Sequence, residues 1–583
     1  MDRKHYVALG VAILVLIAVG RVVLTYRVTA QGFDEPAHVA AGMEWIQSGT
    51  YKLDPLHPPL ARIAIGLPLY LSGERLPQMD SKTSSDFWAV GNGILYDRGH
   101  YLRNLTLARC GILPFLMLAG VLVFLWSQRA FGDLAAVLAV VLFTTTPIVL
   151  AFSGLAYTDF PAASTQFLAL FVFTMWLKAP TMRSTWLLGI AFGLALLSKF
   201  TSLLFLPAAA LAVLLCKRLG RDAEPAVSQV KTRWITKLAL ATAIAVMVLW
   251  GGYRFSVGPV REDMQLSAQS MPSFQHFPKP VGKIAREMIL RDPPVPAPSL
   301  LRGLADAWVA NQSASPAYLL GNIRNGGWWY FFLLGILVKT PVPFLVLSGF
   351  GLCALFGTAG QRPWESLAPG AAAVAILVIT MGVKRDAGLR HVLVVFLLLA
   401  VVAGFGSAYL WRLQGSSRAW GRWLLAGLLT WQCISSLSAH SDYIAYFNEF
   451  AGHDPSRVLV TGCDLDCGQD LFRLSRALRE KHISQVNIAV WSSADLSRMD
   501  LPDFQILQPF QPVAGWVAVS IRSVRLGDVL HMTYSPGALA WLDRCQPVAQ
   551  VGKTIRLYYI AGRGDPGERG QTGDATRAQG VGR

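Results

Sequence analysis

Apolar runs too long to hide in a soluble core constrain this chain most. A helix of about 20 apolar residues crosses the hydrocarbon of a bilayer. Within lipid, a segment must satisfy its own backbone polar groups, which favours the helix. Runs of this kind fall at 5–25, 105–127, 133–153, 158–177, 185–198, 200–216, 235–251, 328–357, 367–383, 390–411 and 422–439. Of the 583 residues, 53% are hydrophobic and 15% charged, against about 25% charged in an ordinary soluble domain. The expectation is an α-helical multi-pass membrane protein with about eleven transmembrane helices. The first run follows Met1-Asp2-Arg3-Lys4, is too long for a signal h-region and has no small-residue cleavage site after it. It therefore reads as an uncleaved anchor.

The net charge of +17 would suggest nucleic acid for a soluble chain. Here basic cytoplasmic loops account for it, so no nucleic-acid partner is expected, and membrane lipid is. A cytoplasmic N-terminus puts Arg129, Lys178, Arg183, Lys217, Arg218, Arg221, Lys231, Arg233, Lys237, Arg362, Arg412, Arg418 and Arg422 on the inner side. Loops 25–104 and 252–327 then face outward, as does everything from His440. One outer connection, Val383–His391, carries Lys384, Arg385 and Arg390 and breaks the pattern. A transmembrane domain over 1–439 is thus expected, followed by a small extracytoplasmic α/β domain over 440–561. In that tail Leu471, Leu474 and Leu478 share a helical face, and "QVNIAVW", "GWVAVSI" and "TIRLYYI" read as strands. Residues 562–583 are Gly-rich and charged and read as disordered. Three tail cysteines, Cys463, Cys467 and Cys545, suffice for one disulfide if the tail is extracytoplasmic.

Just outside the first run stands "GFDEPAHVAAGMEWIQSGTYKLDPLHPPL", Gly32–Leu60. Pro36 suits the first turn of a helix, with Asp34 or Glu35 as its cap. Val39, Met43 and Ile46 fall on one face, as in an amphipathic helix lying in the membrane interface. His57-Pro58-Pro59 stops any helix before it and begins another. An acid in this place can accept a proton, bind a cation or simply cap the helix, and those readings stay open on the residues alone.

The Asp34-Glu35 pair followed by His57-Pro58-Pro59-Leu60 resembles the membrane-embedded GT-C glycosyltransferases, specifically the protein O-mannosyltransferase and aminoarabinose-transferase-like superfamily (family 39). Further matches follow in order: Thr158-Asp159 opening a helix, "GIAFGLALLSKFTSLLFLP", "GGWWYFFLLGILVKTPVPFL", "GLRHVL" and "DYIAYFNEFAG…DLDCGQDL". The last three resemble motifs of one bacterial branch, which usually has Trp where this chain has Cys467. The resemblance covers about residues 1–480.

What the resemblance implies is transfer of a hexosyl or pentosyl group from a polyprenyl-phosphate sugar to an acceptor hydroxyl. This would take place on the outer face of a bacterial cytoplasmic membrane, with a lipid, glycan or protein as acceptor. A lipid phosphate is already a good leaving group, so one carboxylate base suffices, while cations hold the departing charge. Asp34 is the expected base, with Glu35 and Asp159 beside it in the catalytic group. His57, Lys199, Arg390 and His391 are expected to contact donor phosphate or sugar. A lysine or arginine at such a depth is by default functional, and phosphate binding explains the basic exception around Arg390. Arg62 and Arg109 read as solvated interface arginines. Asp34 and Asp159 are suited to a divalent cation, and whether one is used stays open; no other cofactor is expected. The rival readings are a lipid-linked sugar flippase or transporter, which would gather its polar groups near the midplane, and a non-catalytic membrane assembly protein.

Overall fold

Every expected apolar run forms helix, but the runs are cut more often than their composition suggests. The computed structural model describes residues 3–78, 86–219, 228–259, 279–312, 316–415, 417–530 and 533–562. Of the tail expected to be disordered, 562–583, residues 563–583 lie outside the described residues, as does Arg221. Among the described residues, five helical stretches are long and apolar enough to cross a membrane: His5–Thr25, Tyr101–Phe131, Asp159–Lys178, Trp234–Gly252 and Leu389–Trp411. The pair Asp133–Thr144 and Pro147–Ser153, bent by 65°, makes a sixth if it is one span. Pro59–Leu71, Met182–Ser198, Val342–Gly357 and Trp364–Thr380 are shorter apolar helices. The apolar run over 328–357 is split into Phe331–Lys339 and Val342–Gly357, because Pro341 supplies no N–H and disfavours helix in the residue before it.

Leu393–Trp411 is the centre of the bundle, buried along almost its whole length. Its glycines set how closely neighbours approach. A Cβ on Gly404 would lie 2.5 Å from the Ala135 carbonyl oxygen, and one on Gly406 would lie 2.5 Å from that of Leu347. Small residues of this kind are how membrane helices pack backbone to backbone.

Beyond Ser438 the chain forms short 3-10 turns, then the helix Leu471–Glu480 and a five-stranded sheet. The strand order is Ala549–Val551, Ile555–Ile560, Gly515–Ser520, Gln485–Ala489, Asp503–Ile506. Gln485–Ala489 runs parallel to both its neighbours and the remaining pairs are antiparallel. Leu471, Leu474 and Leu478 are all buried, as their spacing predicts. One apolar cluster extends from Val11 in the first helix to Leu557 in the last strand. The tail is therefore packed onto the membrane bundle, and Trp491 stacks on Phe33 with ring centroids 4.3 Å apart.

Candidate active site

Pro36 starts the helix Glu35–Gln47 in the expected place, and Asp34 occupies the cap position without making a side-chain cap bond. Its carboxylate instead accepts from the Arg390 guanidinium. That geometry decides against a plain cap. The backbone N–H of Asp34 donates to the Tyr157 hydroxyl (3.0 Å). Arg390 also reaches Asp159 (3.9 Å), and the other oxygen of Asp159 pairs with the Lys199 ammonium. His391 Nδ1 lies 3.5 Å from that ammonium. Asp34, Arg390, Asp159 and Lys199 thus form one chain of alternating charge, with the His391 ring beside Lys199 at its far end, all drawn from four separate sequence regions.

Each member is held by local structure. Lys199 ends the helix Met182–Ser198 in an extended conformation. The break after it is stitched to Asp159–Lys178 by Thr165 to Ser198 (3.0 Å) and Gln166 to Ser202 (3.0 Å). Arg390 and His391 sit on a 3-10 turn, Leu389–Val392. The Leu389 N–H on that turn donates to Asp464 (2.9 Å). The accessible acid is Asp34, whose side chain keeps 27% of its exposure, against 3% for Asp159.

Glu35 has a different role from its neighbour. It is wholly buried and accepts two bonds from Arg109 (2.8 Å each), one from Gly32 N–H (2.7 Å) and one from Ala156 N–H (2.7 Å). All its acceptor capacity is used in tying the first outer segment to the helix Tyr101–Cys110 and to the approach to Asp159. Arg109, expected as a solvated arginine, is this buried partner. Arg62 is likewise fully buried, bound to Asp54, Tyr51 (2.9 Å) and His38 Nδ1 (3.2 Å). The expected interfacial amphipathic helix is corrected in the same way: Glu35 through Glu44 are buried on every face. Part of the reason is a close crossing, where a Cβ on Gly42 would meet the Arg62 carbonyl oxygen at 2.1 Å.

Pro58 and Pro59 begin the helix Pro59–Leu71, as their fixed φ favours. The His57 ring stands edge-on to His38 with centroids 5.5 Å apart, and the His57 carbonyl accepts from Tyr51 (2.6 Å). Burial, reinforced by Arg62, pushes both imidazoles well below their usual range, so both are neutral at pH 7. Burial alone would raise the Asp34 carboxyl. Arg390 beside it, with His38 and Lys199, holds it below the usual carboxylate range instead. Lys384 and Arg385 turn toward the helix Pro298–Gln312, approaching Gln312 and the Ala310 carbonyl at 3.4 Å each.

Two contributors, and the contacts of a third, were missed in the sequence. Tyr157 lies under the Arg390 guanidinium (5.2 Å to the ring centroid) and is held as a phenol by burial and by Asp34. His38 follows Asp34 by one helical turn, a spacing that would have flagged it. The loop closed by the Cys463–Cys467 disulfide supplies Asp464 to Leu389, the Cys467 carbonyl to Phe33 N–H (3.1 Å) and a sulfur to the Tyr157 hydroxyl (3.1 Å). No spacing rule connects that loop to residues more than three hundred positions away.

Among the described residues no group of three or more His, Cys, Asp or Glu is placed to hold a metal ion. Between Asp34 and Asp159 the guanidinium of Arg390 already supplies the positive charge. These residues do not fit a divalent ion shared by the two acids.

No curated protein matches the chain. Among solved structures the chain is similar to ArnT from Cupriavidus metallidurans bound to undecaprenyl phosphate, at 11% identity and a TM-score of 0.47, over 95% of this chain and 98% of that one. It is also similar to the Archaeoglobus fulgidus oligosaccharyltransferase AglB in complex with an inhibitory peptide and a dolichol-phosphate. That likeness has 12% identity and a TM-score of 0.42, over 97% of this chain and 75% of the other. The model of the dolichyl-phosphate-mannose-protein mannosyltransferase family matches residues 108–250. That stretch holds Asp159 and Lys199.

Proposed function

We propose that the protein is a glycosyltransferase that uses a polyprenyl-phosphate sugar on the outer face of a bacterial cytoplasmic membrane. The observation that carries this reading is the Asp34–Arg390–Asp159–Lys199 chain, with Asp34 as its exposed end. Arg390 and Lys199 bind the donor phosphate, and the guanidinium offers it two parallel N–H donors. As the phosphate takes Arg390, the Asp34 carboxylate loses its partner and becomes the stronger base. The acceptor hydroxyl attacks the anomeric carbon, its proton passes to Asp34, and the bond from that carbon to the phosphate oxygen breaks. The polyprenyl phosphate leaves with the electron pair, steadied by the two cations. Asp159 keeps Lys199 and Arg390 in place, Glu35 anchors the segment that carries Asp34, and neutral His57 lines the approach. The bundle over 1–439 is the catalytic domain and the tail over 440–561 contributes to acceptor choice.

The test is native mass spectrometry of the full chain from its own membranes, for wild type and Asp34→Asn. A retained isoprenoid phosphate in wild type, with the intact lipid-linked sugar accumulating on the variant, is the expected result. Transfer by the variant should fall by about 10²–10⁴-fold, the usual contribution of a general base. A normally inserted D34N that still transfers sugar would overturn the assignment, and a flippase would tolerate the change.

A further inference from the structure

A second basic feature lies outside the site just described, at the seam between the first membrane helix and the tail. A groove of about 310 Å³ is lined there by Arg27, Arg476, Arg479, Arg498 and Asp500. Asp500 is engaged by Arg479 at 2.8 Å. Arg498 is held by Asp97 (2.7 Å) and Asp495 (3.2 Å). Arg27 and Arg476 are exposed and make no ion pair among the described residues. The groove therefore presents two uncompensated guanidinium groups beside two that are already fixed in place. Its floor is apolar, with the rings of Tyr101 and Phe472 edge to face at 5.8 Å.

Position decides what anion this groove meets. Arg27 stands two residues past the end of the 23-residue helix Arg3–Thr25. A helix of that length rises by about 1.5 Å per residue and matches the hydrocarbon thickness, which puts Arg27 at the level of the lipid phosphates. Leu24, one turn earlier, is 65% exposed, and Leu102 on the groove wall is 47% exposed, as expected of side chains facing acyl chains. We infer that this groove binds the phosphate head group of an anionic phospholipid, with Arg27 and Arg476 as the recognising forks. Guanidinium geometry matches a phosphate bidentately, and Arg479 and Arg498, anchored by their own acids, define the walls. The inference concerns binding and is independent of the proposed transferase reaction.

The experiment is a titration of the detergent-purified full chain with phosphatidylglycerol, read as lipid adducts by native mass spectrometry, with phosphatidylcholine as the neutral reference. In R27A/R476A the tightest phosphatidylglycerol adduct should weaken by on the order of tenfold or more, the phosphatidylcholine adducts remaining unchanged. The single variant Arg27→Glu, at an exposed position, should lose the same adduct and guards against a folding defect in the double variant. The control R75A/R103A removes two exposed arginines of the same outer segment. If it weakens phosphatidylglycerol as much as R27A/R476A does, the groove has no special role and the inference falls. If millimolar inorganic phosphate displaces the adduct from wild type, the ligand is free phosphate and the lipid assignment is overturned. Unchanged adducts in R27A/R476A and Arg27→Glu would overturn it outright.

Discussion

Adjacent residues can have opposite fates, and Asp34 and Glu35 are the case in point. Glu35 and Arg109 are both fully buried, and removing one member of such a pair strands the other charge. Glu35→Ala is therefore expected to cost about 3–5 kcal/mol of stability, seen as a large drop in Tm in detergent. Asp34→Asn should leave Tm close to wild type while transfer is lost, since Asp34 is partly exposed. Equal stability of Glu35→Ala and wild type would contradict the anchoring role. The two histidines give a pH test. Their folded pKa values lie below the unfolded value of about 6.5. Below that pH the unfolded chain takes up protons that the native state refuses. Their contribution to stability is thus complete above about pH 6.5 and is lost as pH falls. Asp464 and Asp466, pushed up to about 6 by burial, act in the opposite direction. The informative quantity is therefore the difference between wild type and His38→Gln/His57→Gln, whose Tm should decline less between pH 7.5 and 5.5 if about 6.5 is the unfolded midpoint.

Elements far apart in sequence meet through the loop Cys463–Cys467. It holds Leu389, next to Arg390, through Asp464, and Phe33, next to Asp34, through the Cys467 carbonyl. Lys339, buried at the end of Phe331–Lys339, donates to the Asp464 carbonyl and to Ile444 O (2.6 Å), fixing the loop from the other side. Replacing both cysteines by alanine should speed amide exchange about tenfold or more in segments 30–36 and 387–392, through local opening. Hydrogen-exchange mass spectrometry reads this directly. Faster exchange confined to 460–470 would mean that the disulfide is local in effect. The motif in this loop was visible in the sequence as a family resemblance, including the cysteine in place of the usual tryptophan. Its contact with Tyr157 was not, because a tertiary contact across some three hundred residues leaves no periodic trace.

For the molecule as a whole, the arrangement predicts one orientation. The basic loops favour a cytoplasmic N-terminus, and the tail then lies on the same side as Asp34, to which it is packed. An alkaline phosphatase fused after residue 562 should be active in the periplasm, and a green fluorescent protein fused there should be dark. The reverse pattern would invert the topology and move the site to the cytoplasmic face. A glycan on Asn104 is not expected in either case, since that side chain is fully buried and donates to Ile94 O (3.1 Å).

Local chemistry was enough to locate the apolar helices, the prolines that start them and three strands of the tail sheet. Those features depend on runs of hydrophobicity and on residue types at short spacing, and both are written in the order of residues. Pairing was not available in that order. Arg62 and Arg109 looked like surface cations and are buried structural partners, because what satisfies a charge in low dielectric is its neighbour in space. Asp34 and Glu35 were both read into the catalytic group and became a reachable carboxylate and a sealed anchor. Which acid stays open follows from which side chain finds four donors, and that is settled only when distant helices and the tail close around it.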